Sequence, residues 1–280
     1  MNLILQSKRP IGLHLRLEHT LTAVIERALS LHLDFFQCFF VTTAEKLLVL
    51  DHQDRASFLS LRKNFNALFV HGSYWINLAD RKQAGLHIIE RELALARQCE
   101  FNYFVLHPGS ARGVQTREQG IDLLARALNR LFKRESEIII VLENTAHGNM
   151  SIGSDLGDFA LLKQKLDDPT RFALCLDTAH AYVFGYDIND ATKRDELYQT
   201  IENSLGLSSI VLIHLNDTSS ACGSRIDNHV AVGKGILGEE TLRRCVDHPA
   251  LAATPLLMEL SHATREQEQE VLATVRSWYQ

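Results

Sequence analysis

Cysteine is scarce and unpatterned: five residues, Cys38, Cys99, Cys175, Cys222 and Cys245, with no Cys-x-x-Cys pair among them. An odd number at irregular spacing argues against a disulfide framework and reads as free thiols in a reducing cytoplasm. Long hydrophobic runs are missing too. The apolar stretch within residues 1–8 is far too short for a secretion signal or a membrane span, so a cytoplasmic location and no membrane partner are expected. Positive charge is not in excess: 29 Lys and Arg against 34 Asp and Glu leave a net −5, with no basic tail and no long block of one sign. That argues against a protein held to nucleic acid by bulk electrostatics, while leaving room for positive charge concentrated at a site. No Pro-rich linker, low-complexity tract or shift of composition divides the 280 residues, so residues 1–280 are read as a single domain. The Gly-rich turn of a nucleotide-binding sheet is absent after the first apolar run. Gly233-Lys-Gly235 is too short and too late to serve as one, and reads as a turn.

What is present is a repeated alternation. Short apolar runs at Ile11–Leu17, Leu33–Val41, Leu68–Val70, Tyr103–Leu106, Ile138–Leu142, Phe172–Leu176, Ile210–Ile213 and Leu256–Met258 read as strands. Between them, helical spacing appears at Leu21–Leu29, Leu86–Ala96, Ile121–Phe132, Asp158–Lys165, Asp190–Ser204, Glu239–Val246 and Glu266–Trp278, with a weaker helix over Ala56–Asn64. Strand and helix alternating at βαβ spacing throughout predict an α/β protein, a single (β/α)8 barrel of the TIM type.

Six of the eight runs stop at a residue able to bind a divalent metal: His71, His107, Glu143, Asp177, His214 and Glu259. All strand C-termini of such a barrel open onto one face, where active sites lie. His180, Asp227 and His229 follow in the adjoining loops; Asp227 and His229 are two apart, so an extended backbone points both side chains the same way. Nine nitrogen and oxygen donors exceed the needs of one four-coordinate ion and suggest two or three metals. With no thiolate among them, Zn, Mn or Fe is favoured. Four carboxylates in one pocket also call for compensating cations, and three divalent ions would leave it positive by about two charges. A lone His at a strand end is more often a loop hydrogen bonder, and that ordinary role is assigned to His14, His32, His147, His248 and His262. Asn144, Asn216 and Asp217 read equally as supports of the donors or as turn residues.

His-x-Ser-Tyr-x-Ile-Asn-Leu (71–78), His-Pro-Gly-Ser (107–110), Leu-Glu-Asn-Thr-Ala (142–146), Asp-Thr-x-His-Ala-x-x-x-Gly-Tyr-Asp (177–187) and His-Leu-Asn-Asp followed by Gly-Ser-Arg-x-Asp-x-His (214–229) together resemble endonuclease IV, the second family of apurinic/apyrimidinic endonucleases. The resemblance runs from about residue 67 to Glu259. It implies a trinuclear zinc site in which His71, His107 and Glu143 hold one ion, Glu143 bridges to a second completed by Asp177, His214 and Glu259, and His180, Asp227 and His229 hold a third. It further implies base excision repair: hydrolysis of the phosphodiester 5′ to an abasic site in DNA, with a hydroxide bridging two zincs as nucleophile. Catalytic roles would fall to Glu143 and to Glu259, which would orient the hydroxide or take its proton. Tyr74 and Trp75 read either as a wedge in the base stack or as a packed loop pair, and Arg225 and Lys234 either as phosphate contacts or as solvated loop charges; a monomer is expected.

The chain departs from the family pattern near its N-terminus. Val-Thr-Thr-Ala-Glu-Lys (41–46) carries no arginine where the family's DNA-entering one is usual, and Arg-Leu-Glu-His-Thr (16–20) stands where small residues are usual. Ala-His-Gly-Asn (146–149) replaces a Gly-x-Gly, and Ala179 a cysteine. Metal chemistry is expected to be intact and the grip on duplex DNA weaker. Two other readings have their own tests. A metal-dependent sugar isomerase or epimerase on the same barrel has no use for the His180, Asp227 and His229 triplet. A non-catalytic binder of damaged DNA would hold metal without turnover.

Overall fold

In the computed structural model, which describes residues 9–42, 46–135, 137–260 and 263–280, all eight apolar runs are strands, hydrogen-bonded side by side. They are β1 (Ile11–Leu15), β2 (Phe35–Phe39), β3 (Phe69–His71), β4 (Tyr103–Leu106), β5 (Ile139–Glu143), β6 (Phe172–Asp177), β7 (Ile210–His214) and, after a two-stranded ribbon of β8 (Asp217–Thr218) and β9 (His229–Val230), β10 (Leu256–Met258). Each pairs in parallel with its neighbours, and β1 closes the ring by pairing with both β2 and β10. The expected (β/α)8 barrel is therefore the observed fold.

The helices are α1 (Leu21–Ser30), α2 (His52–Arg62), α3 (Gly85–Gln98), α4 (Arg117–Phe132), α5 (Gly157–Lys163), α6 (Thr178–Phe184), α7 (Ala191–Ser204), α8 (Gly238–Val246) and α9 (Arg265–Ser277). Thr20 caps α1 by accepting from Ala23 N, and Thr116 and Gln119 close α4 with a reciprocal capping box. No helix among the described residues is long and apolar enough to cross a membrane.

The helix over 178–184 was not expected. Six of its seven residues are buried, so it shows no amphipathic period; it begins because the Asp177 side chain accepts from His180 N at 2.7 Å. The weaker helix over 56–64 begins earlier, at His52, where Asp51 caps it. The ribbon strands are two residues each, below the length at which alternation can be read. Of the residues 41–46, numbers 43–45 lie outside the described residues, as does His262.

Barrel-interior positions recur every second residue. Phe35, Phe69, Val105, Val141, Cys175, Leu212 and Leu257 form an apolar cluster of their own, apart from the larger core. Gly12 shows how tightly it is filled: a Cβ there would lie 2.6 Å from Phe35 O and 2.9 Å from Phe35 Cζ, so the Phe35 ring occupies the place of a side chain from β1. Two residues further along each strand stand Gln37, His71, His107, Glu143, Asp177, His214 and Glu259, and on β1 His14. The polar layer rests directly on the apolar plug.

Candidate metal centre

The strand periodicity gathers the expected donors into three overlapping groups. One ligand atom each of His71, His107 and Glu143 lie within 4.8 Å of one another; so do those of Glu143, Asp177, His214 and Glu259; so do those of Asp177, His180 and His229. Glu143 and Asp177 each belong to two groups and link the three into a chain. Glu143 Oε2 is 3.0 Å from His71 Nε2 and 3.3 Å from His107 Nε2, while Oε1 is 3.1 Å from His214 Nδ1. Asp227 reaches both imidazoles of the third group, 3.1 Å from His180 Nε2 and 2.9 Å from His229 Nε2. All nine donors come together at one mouth.

The second nitrogen of three rings is occupied by an oxygen. His71 Nδ1 donates to Gly72 O at 2.8 Å, His180 Nδ1 to Asn144 O at 2.8 Å, and His214 Nε2 to Gln37 Oε1 at 3.2 Å. The remaining nitrogen of each ring then faces a carboxylate about 3 Å away, where a proton or a metal ion must stand between them, the arrangement of a metal-binding imidazole oriented from behind. His229 Nε2 is buried without a well-aligned hydrogen bond although Asp227 lies beside it, so both face a common point. The donor set fits divalent cations.

Electrostatics agree. Burial disfavours the charged forms of His71, His180 and His214, yet the surrounding acids hold all three above the ordinary imidazole range: Glu143 and Glu259 for His71, Asp177, Asp227 and Glu143 for His180, and Cys175, Glu259 and Glu143 for His214. His229, opposed by burial but facing Asp177 and Asp227, is pushed up to about 9. Against burial, the imidazoles hold Glu143, Asp227 and Glu259 below the usual carboxylate range. Such mutual stabilisation needs positive charge among the acids, as protons or as metal.

Two residues that the sequence reading left outside the site belong to it. His14 is no ordinary loop histidine: its Nδ1 lies 3.3 Å from Glu259 Oε1. Gln37, not singled out, touches His14, Glu259 and His214 at once. The signal for it was a lone polar residue within Phe-Phe-Gln-Cys-Phe, on the same parity as the donors of other strands. Of the two readings given to Asp217, the structure shows the turn residue: it clamps the turn over Gly233–Gly238. Asn216 does support them, donating to Asp177 Oδ2 at 2.6 Å and Glu259 Oε2 at 3.2 Å. Asn144 ties β5 to β6 through Asp177 N and O. His248 caps a short turn as expected.

On the rim, Tyr74 is 79% and Trp75 50% exposed, and the Tyr74 ring stands 6.3 Å from His71 and 6.4 Å from His107. Arg225, exposed on the loop after β8, has left-handed backbone (φ 60°) and lies 5.9 Å over Phe184.

A closed parallel barrel with converging imidazoles and carboxylates at its strand C-termini defines a TIM-barrel enzyme with a candidate multi-metal centre. Residues 25–280 match the family model described as xylose isomerase-like TIM barrel. The chain is 32% identical over 256 residues to the probable endonuclease 4 of Akkermansia muciniphila, covering 89% of this chain and 91% of that one. It is 33% identical over 214 residues to that of Halorhodospira halophila, 73% and 71% of the two chains. The crystal structure of endonuclease IV from Thermus thermophilus superposes with a TM-score of 0.83 at 28% identity, over 96% of this chain and 98% of that one. The chain belongs to the endonuclease IV family, hydrolases with nuclease activity, within the xylose isomerase-like TIM barrels.

Proposed function

We propose that this protein is a zinc-dependent phosphodiesterase of base excision repair that hydrolyses the DNA backbone 5′ to abasic sites, as a monomer with the strand ends facing the DNA. His71, His107 and Glu143 hold one ion, Glu143, Asp177, His214 and Glu259 a second, and His180, Asp227 and His229 a third. Manganese or ferrous iron suits the same nitrogen and oxygen donors. When bound, the metals supply positive charge that brings the pKa of water toward neutrality and stabilises the phosphoryl oxygens. The observation that carries the reading is the set of three imidazoles whose outer nitrogen is engaged by Gly72, Asn144 or Gln37 while the inner one faces a carboxylate, Glu143 for His71 and His214 and Asp227 for His180.

The chain's own residues do the rest. Glu259 keeps 21% of its side chain exposed toward the mouth, with Oε1 held by Gln37 and Oε2 by Asn216, a geometry suited to orienting a water and accepting its proton. Tyr74 and Trp75 present apolar surface where an abasic gap leaves the stack open. Arg225, braced against Phe184, would meet a phosphate. A sugar isomerase has no need of the third group, whose donors are complete here. Nicking of an abasic duplex oligonucleotide, with elemental analysis of the same sample, tests the proposal: three metals per chain and chelator-sensitive cleavage leaving a 3′-hydroxyl are expected. No metal-dependent nicking would sink it.

A further inference from the structure

We propose that Gln37 is a positioning residue that selects the nitrogen through which His214 binds metal, and that braces Glu259 at the same time. The inference rests on the metal-site reading above. β1 and β2 are the two barrel strands that contribute none of the nine donors, and His14 and Gln37 occupy the corresponding places in the polar layer. Gln37 is fully buried. Its side chain reaches past β1 and β10 to β7, where Oε1 accepts from His214 Nε2 at 3.2 Å. With the proton committed to Nε2, the His214 lone pair is on Nδ1, the atom that lies 3.1 Å from Glu143 Oε1, 3.6 Å from Glu259 Oε2 and 3.9 Å from Asp177 Oδ2. The other end of the amide donates to Glu259 Oε1 at 3.2 Å and to His14 Nδ1 at 2.9 Å.

An amide is the side chain this position asks for. It offers an acceptor to one neighbour and two N–H donors to the others, so no polar atom of it is buried unpaired. Methionine would fill similar volume and leave the His214 Nε2–H without an acceptor. Glutamate keeps the acceptor toward His214 and, when protonated, also donates to Glu259.

The test is metal retention by the full-length metal-loaded protein, titrated with a chelator and read by elemental analysis, for wild type, Gln37→Met, Gln37→Glu and His214→Ala. Unfolding of each chelator-stripped protein serves as the fold control. Gln37→Met is expected to release one metal, the one missing from His214→Ala, at about 10- to 100-fold lower chelator concentration. The other metals are held as in wild type, and Gln37→Glu restores retention. A role in packing alone predicts the reverse order, since methionine suits a buried site better than a carboxylate. Wild-type retention in Gln37→Met, uniform release of every metal, or a Glu variant worse than the Met variant overturns the inference. A wild-type count below three overturns the three-metal reading alone, because the Gln37 effect is scored on the His214 metal.

Discussion

Glu143 faces more imidazoles than any other acid of the site: His71 and His107 at Oε2, His180 and His214 at Oε1. Glu143→Ala therefore removes a shared acceptor from the heart of the charge balance, and abasic-site nicking by the metal-supplemented variant should fall by at least about 10²- to 10³-fold, the scale of losing one preorganised electrostatic group. A second expectation concerns pH in the absence of metal. His71, His180, His214 and His229 have folded pKa values above those of the unfolded chain, so in chelator-stripped protein their contribution to stability is complete below about pH 6.5 and is lost as pH rises through the folded values, about 9 for His229. Glu143, Asp227 and Glu259 are held low, so their contribution is present above about pH 4.5 and is lost on acidification. The stripped protein should melt highest between those limits, and its Tm should drop from pH 6.5 to 9. Metal competes with the same protons, so the stabilisation conferred by added metal should grow over that interval. Thermal melts at both pH values, with and without chelator, check this; a stripped protein that gains stability toward pH 9 would contradict the charge assignment.

The ribbon and the turn after it form the element that brings Asp227 and His229 back over the mouth, and Asp217 anchors it. Buried at the start of β8, its carboxylate accepts from Thr218 N and Leu237 N at Oδ1 and from Gly233 N, Gly235 N and Gly238 N at Oδ2, all between 2.8 and 3.1 Å. Asp217→Ala strands several buried N–H groups, and a loss of about 2–4 kcal/mol in urea unfolding is expected. Gly235→Ala attacks the same joint sterically: its Cβ would lie 2.3 Å from Asp217 Oδ1 and 2.4 Å from Thr218 O, so about 1–3 kcal/mol should be lost. Both variants should weaken the third metal group more than the first, measurable as metal released per chain. This element also marks where sequence reading stops. The eight barrel strands were legible because each is a short, largely apolar run, and six of them stop at a donor. α6 is buried nearly all round and the ribbon strands are two residues long, so neither leaves a periodic trace. The turn at Gly233 was readable from its glycines, but not the carboxylate that holds it sixteen residues earlier.

At the scale of the whole molecule, the question is how a chain of net charge −5 meets a polyanion. Alternation along each strand told which side chains share a face; only closure of the barrel, with β1 paired to both β2 and β10, sets donors from His71 to Glu259 around one mouth. Closure also brought in His14 and Gln37, which no single strand's pattern relates to Glu259. The mouth gathers Glu143, Asp177, Asp227 and Glu259, and three divalent ions there would turn a negative bowl into one of about plus two. Attraction for DNA would then come from the site itself. For a duplex already nicked at the abasic position, which cannot be cut again, chelation should weaken binding by at least about tenfold, equivalent to about 1.4 kcal/mol, and metal should restore it. With Lys and Arg outnumbered by Asp and Glu, 29 to 34, the slope of log affinity against log salt should be no steeper than about −4. Fluorescence anisotropy across a salt series, with and without chelator, separates the two cases. A steep slope that survives chelation would place the DNA on a cationic surface away from the metals, and the charge-reversal account would fail.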